Sequence, residues 1–210
     1  MDKRLNRQRW LDAGLEQVAA QGPGGVRIMQ IAQQLGVTKG SFYWHFRDLA
    51  GFQEALLQEW ESSRTQQLIA RVEGTAADPI AKLRTLMAAT IGSDMRLAQA
   101  VRVWATTAPV AAAAVARVDH ERLTYLAGLL REVGWAKADA TTLSHWAYCG
   151  LLGHLSMRAP RLTTRQLELV LSQFLPKGGL IRSADETFGK QRLRPEKRAE
   201  RPGGTSPRLR

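Results

Sequence analysis

The chain has 210 residues, 44% of them hydrophobic, and carries a formal net charge of +11 at pH 7. That apolar content is enough for one ordinary domain, or for a small domain and a larger one, and the basic excess points to a polyanionic partner, either nucleic acid or an anionic surface. No stretch approaches ~18 consecutive apolar residues, and no apolar run follows the charges of "MDKRLNRQRW", so neither a membrane span nor a signal peptide is expected. A single cysteine, Cys149, excludes an internal disulfide or a thiolate cluster and fits a reducing compartment such as the cytoplasm.

Helical periodicity runs through almost the whole chain, and no alternation long enough for a strand occurs. Leu11, Leu15, Val18 and Ala19 form a first stripe, closed by "QGPGG". Ile28, Ile31, Ala32 and Leu35 form a short second helix that Gly36 ends, and Phe42, Tyr43 and Phe46 fall on a still shorter third. Asp48 is placed to cap a long fourth helix, with Phe52, Leu56 and Trp60 on one face, that reaches about Arg71 and fades at "EGTAADP". Ile80, Leu83, Met87 and Ile91 mark a fifth helix, and Leu97, Val101 and Trp104 a sixth. Ala111, Val115, Val118, Arg122, Leu126, Leu129 and Val133 follow a seventh, ended by Gly134. Leu143, Trp146, Gly150 and His154 follow an eighth, and Leu167, Val170, Leu171 and Phe174 a ninth that Pro176 stops.

The charge is concentrated at the end. Residues 1–50 carry a net +3, residues 51–175 a net +2, and residues 176–210 a net +6. That last segment is poor in apolar residues and rich in Gly, Pro, Arg and Lys. It cannot bury enough surface to offset its ordering entropy, and it reads as a disordered basic tail. Global basicity is therefore weak support for a folded nucleic-acid surface.

The stretch "GVTKGSFYWHF", Gly36 to Phe46, is more specific. Gly36 supplies a left-handed helix end, Val37 an apolar plug, and Thr38 a side-chain oxygen to cap the third helix, with the spacing of a helix-turn-helix unit. Small Ala32 lets the two helices approach closely. Phe42 and Phe46 fit the core side. Lys39, Gly40, Ser41, Tyr43, Trp44 and His45 remain for the outside, because three aromatics and a histidine on so short a helix cannot all be buried. In a major-groove reader the first turn of this helix meets base edges. Lys39 is suited to guanine O6/N7, Gly40 to close backbone approach, and Tyr43 and His45 to phosphate oxygens.

The stretch "IAQQLGVTKGSFYWHFRDLAGFQEALL", Ile31 to Leu57, resembles the N-terminal domain of the tetracycline-repressor (TetR) family. The order Ile-Ala, Gly-Val, a short polar turn, Tyr-x-His-Phe and a long fourth helix is that family's pattern. The resemblance implies an all-α fold of about nine helices. It places a three-helix DNA-binding domain over residues 4–64, with its helix-turn-helix at about 27–46. A helical bundle over 65–175 would bind ligand and dimerise, and 176–210 would be the basic tail. Arg27 stands where the family usually has a capping Thr or Ser, and Leu49 where it has a Lys or Arg near the start of the fourth helix. Carried onto this chain, the DNA-contacting set is Arg27, Thr38, Lys39, Gly40, Ser41, Tyr43, Trp44 and His45, with Arg47 close enough to replace a missing phosphate contact.

The resemblance also implies a homodimer through the last two helices. "AYCGLLGHLSM", Ala147 to Met157, agrees, being a mixture of small and apolar residues. It further implies an effector pocket in the bundle, for a small apolar or amphipathic molecule. Trp60, Met87, Met95, Trp104, Tyr125 and Trp146 are the candidate wall residues, since Met and aromatics suit adaptable apolar pockets. Trp104, just before "TTAP", is the leading one.

An enzymatic reading finds no support. There is no phosphate loop, nucleophile elbow or His-Glu-x-x-His, and His45, His120, His145 and His154 have no metal-ligand spacing, so no cofactor, metal or catalytic residue is expected. Cys149 has no neighbouring charge to activate it and reads as a small buried residue. The expected function is sequence-specific binding of double-stranded operator DNA by a transcriptional regulator, a ligand-released repressor. The rival is an architectural DNA-binding protein without an effector. A buried, closed apolar cavity in the bundle would favour the sensor, and a cluster of ionisable groups in that cavity would favour an all-α enzyme with an incidental helix-turn-helix.

Overall fold

A computed structural model describes residues 7–75, 78–157, 160 and 162–176. The basic segment from 177 onward and residues 4–6 of the expected first domain lie outside the described residues. Everything regular among them is helical: α1 Arg7–Gln21, a 3-10 turn Pro23–Gly25, α2 Ile28–Leu35, α3 Lys39–Tyr43, α4 Leu49–Glu61, a π turn Ser62–Gln66, α5 Gln67–Thr75, α6 Pro79–Ile91, α7 Arg96–Ala105, α8 Pro109–Glu132, α9 Lys137–Ser156 and α10 Thr164–Gln173. Because α4 runs through the π turn directly into α5, the described residues make nine helical rods.

Local chemistry explains where the helices end. Gly36 takes φ 69° at the end of α2. There the Val37 amide donates to the Ala32 carbonyl at 2.9 Å and the Gly36 amide to that of Gln33 at 3.1 Å. Gly134, at φ 110°, closes α8 in the same way, with Trp135 N–H donating to Leu130 and Gly134 N–H to Arg131. This paired geometry satisfies the last carbonyls, and the positive φ favours glycine. Asp48 Oδ1 accepts from the Gly51 amide at 2.8 Å and caps α4 as its sequence position predicts. Asp78 and Thr163 cap α6 and α10, the latter in a reciprocal capping box with Gln166.

Two expectations at α3 are corrected. Thr38 precedes the helix but makes no side-chain cap; its backbone carbonyl accepts from the Ser41 amide instead. The helix is five residues long and ends at Tyr43, so Phe46 reaches the core from the following turn. With so short an axis, the helix dipole contributes little here, and the side chains carry this surface.

Two apolar clusters hold the described residues together. The first gathers Trp10, Phe42, Phe46, Phe52, Leu56 and Trp60 from α1 to α4 with Leu97, Val101, Trp104 and Val118 of α7 and α8. Phe42 lies 5.4 Å from Trp10 and 5.3 Å from Phe52 in edge-on contacts, and Phe46 lies 4.6 Å from Phe52. The second gathers Leu83, Leu129, Leu130, Ala140 and Leu171 of α6, α8, α9 and α10. The boundary expected between residues 64 and 65 falls inside the π turn of the α4–α5 rod, and the first cluster spans both sides of it.

The outer helices depart from their predicted stripes. α9 buries Ala140, Ser144 and Tyr148, not Trp146, which is 74% exposed. Cys149, read as buried, is exposed, because it follows the inward Tyr148 by one residue and a helical residue turns by about 100°. Met157 and Leu169 are exposed as well.

Gly14 marks the closest packing of α1 on α4. A Cβ there would sit 2.6 Å from the Phe52 ring and 2.7 Å from Leu56 Cδ2. Gly14→Ala is therefore expected to destabilise the fold by ~1–3 kcal/mol through overpacking. Gly128→Ala on α8, where a Cβ meets nothing within 4 Å, is expected to stabilise it by ~0.5–1 kcal/mol. Denaturant unfolding of the two variants measures both.

Candidate nucleic-acid interface and cavity

The first site is built on α2, the turn after it, and α3. Phe42 and Phe46 are buried and anchor the unit. The residues singled out between and around them remain outside: Arg27, Thr38, Lys39, Gly40, Tyr43 and Trp44 are exposed, and Ser41 and His45 are half-buried. Trp44 is 88% exposed and its neighbour Tyr43 52% exposed, so two aromatic rings stand open side by side. Lys39 Nζ lies 5.9 Å from the centre of the Tyr43 ring, so cation and ring share one patch. Arg27 heads α2 without capping it, and its guanidinium donates to the Gly24 carbonyl. Arg47 is paired with Asp48 at 3.0 Å, but its side chain is 94% exposed, so this surface pair is easily exchanged for another anion. The Gly51 amide and then Arg47 hold the Asp48 carboxyl below its ordinary value. Met29, on the first turn of α2, adds an exposed apolar side chain beside Arg27 that the sequence reading passed over.

The second site is a cavity of about 660 Å³ between the α4–α5 rod and helices α6 to α10. Trp60, Met87, Met95, Tyr125 and Trp146 line it, together with apolar residues such as Leu86, Leu126 and Phe174. Trp104 is not among its walls. That ring is buried in the first cluster between α1 and α8, because α1 packs across α7 and takes up its inward face.

The polar part of the cavity wall was not foreseen. Arg122 of α8 donates through Nε to Thr65 Oγ1 at 3.0 Å and through Nη2 to the Arg64 carbonyl at 3.2 Å. Both acceptors belong to the π turn. Arg122 Nη1 also donates to the Tyr148 hydroxyl at 3.3 Å. That hydroxyl accepts from Arg102 Nη2 at 2.9 Å and donates to Asp119 Oδ1 at 2.7 Å, while Arg102 Nη1 donates to Asp119 Oδ2 at 3.1 Å. Burial raises the Tyr148 hydroxyl above its usual pKa, so it stays protonated and serves as a donor. Further along α8 the Tyr125 hydroxyl donates to Glu73 Oε1 at 2.6 Å, and burial with this bond raises its pKa too. One sequence signal could have found the network: Arg122 occupies an inward position in the apolar stripe of α8, between Val118 and Leu126. Such an arginine needs acceptors.

Among the described residues, no three His, Cys, Asp or Glu side chains are gathered to hold a metal ion, and no helix is long and apolar enough to cross a membrane. The arginines and tyrosines at the cavity bond one another and the backbone, an arrangement that positions helices.

Residues 11–56 match the model of a family described as bacterial regulatory proteins, tetR family. The HTH-type transcriptional regulator SrpR of Pseudomonas putida is 45% identical over 51 residues, 24% of this chain and 24% of that protein. The regulator AcrR of Shigella flexneri is 32% identical over 84 residues, 39% of this chain and 38% of that one. These matches thus span less than two fifths of the curated relatives, which are transcriptional regulators. Over the rest the likeness is one of fold. A TetR transcriptional regulator from Legionella pneumophila superposes with a TM-score of 0.68 at 12% identity, covering 84% of this chain and all of that one.

The Tyr148 hydroxyl ties α7, α8 and α9 at one point. Tyr148→Phe removes two acceptor contacts and leaves Asp119 short of a donor. It is expected to cost ~1–3 kcal/mol, read as a lowered thermal midpoint, whereas Thr142→Val on the exposed side of α9 is expected to leave the midpoint nearly unchanged.

Proposed function

We propose that this chain, whose residues 11–56 match the tetR family model, is a dimeric repressor of that kind which leaves double-stranded operator DNA when a small apolar or amphipathic ligand fills the α4–α10 cavity. The observation that carries the reading is the cavity's position. One of its walls is the rod whose other end adjoins α3 through the Asp48 cap. A ligand there and DNA at α3 contact the same mechanical element. An architectural DNA-binding protein has no use for an apolar chamber of this size, whose volume lies within the ~300–1,000 Å³ common for small-molecule sites.

DNA contact falls to the open face around α3. Lys39 and Gly40 approach base edges, and Ser41, Tyr43, His45, Arg27 and Thr38 hold phosphates, with Trp44 packing on the sugar-phosphate wall. The dimer would form through the outer faces of α9 and α10, where Trp146, Met157 and Leu169 stand exposed. Two copies then present two α3 units to half-sites about one turn, ~34–36 Å, or a multiple apart. A ligand weakens operator binding by preferring an arrangement in which that spacing is wrong, and linkage requires operator DNA to weaken ligand binding by the same factor. The protein would work where the chromosome is, in the cytoplasm.

Two measurements test this. In fluorescence anisotropy on a fragment selected from genomic DNA, Lys39→Ala should cost ~1–3 kcal/mol on the selected site and much less on random duplex; an equal loss on both would make Lys39 a phosphate contact only. In sedimentation, the Met157→Glu, Leu169→Glu double variant should run as a folded monomer with weakened operator binding. A dimer that survives both substitutions would place the interface elsewhere.

A further inference from the structure

The charges around the cavity are distributed unevenly. Lys82, Arg84, Arg96, Arg102 and Arg117 lie near it but do not line it, and each holds a carboxylate: Glu73, Glu168, Asp94, Asp119 and Glu61 respectively. The three arginines that do line it are Arg64, Arg71 and Arg122. Among the described residues none of these three has a carboxylate within ion-pair distance. The one wall carboxylate, Asp94, is already occupied by Arg96 at 2.7 Å. Arg122 is satisfied only by neutral oxygens, those of Thr65, Tyr148 and the Arg64 backbone.

We propose that the cavity takes an anionic amphipath, an apolar body ending in a carboxylate or a similarly small anion, and that Arg122 receives the anionic head. This rests on the reading of the cavity as an effector site and specifies its ligand class. Apolar side chains of α6, α8 and α10 surround the body. A half-buried guanidinium bound to neutral acceptors exchanges them readily for an anion, since a charge-assisted bond is roughly twice as strong. The acceptors it gives up, Thr65 Oγ1 and the Arg64 carbonyl, are both in the π turn of the α4–α5 rod. Single π turns within helices recur at functional sites, and this one is held by the same arginine that the ligand would engage. Thr65, once released, has a hydroxyl free to donate to the bound anion. Head-group recognition and the release of the rod from α8 thus become one event.

The test compares head groups on the full-length protein at constant chain length. Decanoate, decanol and decylammonium are titrated below their micellar concentrations by calorimetry. Decanoate should bind on the order of tenfold more tightly than decanol, as expected for a charge-assisted bond, and decylammonium more weakly than either. Arg122→Gln should remove the preference for decanoate over decanol, and Arg122→Lys should restore part of it. The wild-type comparison stands even if the Arg122 variants fold poorly. Equal binding of decanoate and decanol, or tighter binding of decylammonium, overturns the anion assignment and leaves the effector reading intact. If none of the three binds, the proposal and the effector reading fall together. Tight decanoate binding with unchanged operator affinity supports the anion site and sinks the ligand-released reading alone.

Discussion

The packing of α1 against both halves of the molecule is the constraint on which the rest depends. Trp10, Leu11 and Val18 share one core with Phe42 and Phe52 on one side and with Val101, Trp104 and Val118 on the other. Close-packed interiors transmit displacement, because few voids exist to absorb it. Gly14 shows how tight the contact is: there is no room for a methyl group between α1 and α4. The α2–α3 unit is therefore not a module on a flexible tether. It moves as α1 and α4 move, and both are packed onto the helices that enclose the cavity.

The α4–α5 rod completes that connection with two kinds of interaction that differ in strength and specificity. Its α4 end is held by apolar burial, which is large and non-directional. Its middle is held by directional hydrogen bonds from Arg122 to the π turn, and by the Arg117–Glu61 pair at 2.9 Å. Apolar contacts fix that the rod lies against α8; polar contacts fix its register along it.

The two sites obey opposite rules of exposure. At α3 the aromatic residues divide by position: Phe42 and Phe46 inward, Tyr43 and Trp44 outward. The helix is so short that few turns exist to hide them. In the cavity, by contrast, apolar side chains face a partly open hollow, and the arginines there lack the carboxylates that their neighbours have.

The helix-turn-helix was legible in the sequence, because its signals are local. Gly36 must take a left-handed conformation, Asp48 caps the next helix, and Phe42 with Phe46 forces Tyr43 and Trp44 outward, whatever the rest of the chain does. The order of the helices was legible for the same reason, through apolar spacing and the stops at Gly134 and Pro176. Thr38 misled, since a side chain able to cap need not do so when the backbone carbonyl already closes the turn. Trp104, Trp146 and Cys149 could not be placed by periodicity, because a helix contacted on more than one side shows no single apolar stripe, and only its neighbours decide which face is covered. The same holds for the cavity. Thr65, Asp119, Arg122 and Tyr148 lie on three helices and far apart in the chain, and a hydrogen-bond network among them exists only once α4–α5, α8 and α9 are packed. The sequence by itself determined the recognition unit and the helical scaffold, through interactions between residues a few positions apart. Tertiary structure alone decided which side chains wall the cavity and which arginines have no carboxylate within ion-pair distance, because those depend on contacts between residues about 20 to 60 positions apart.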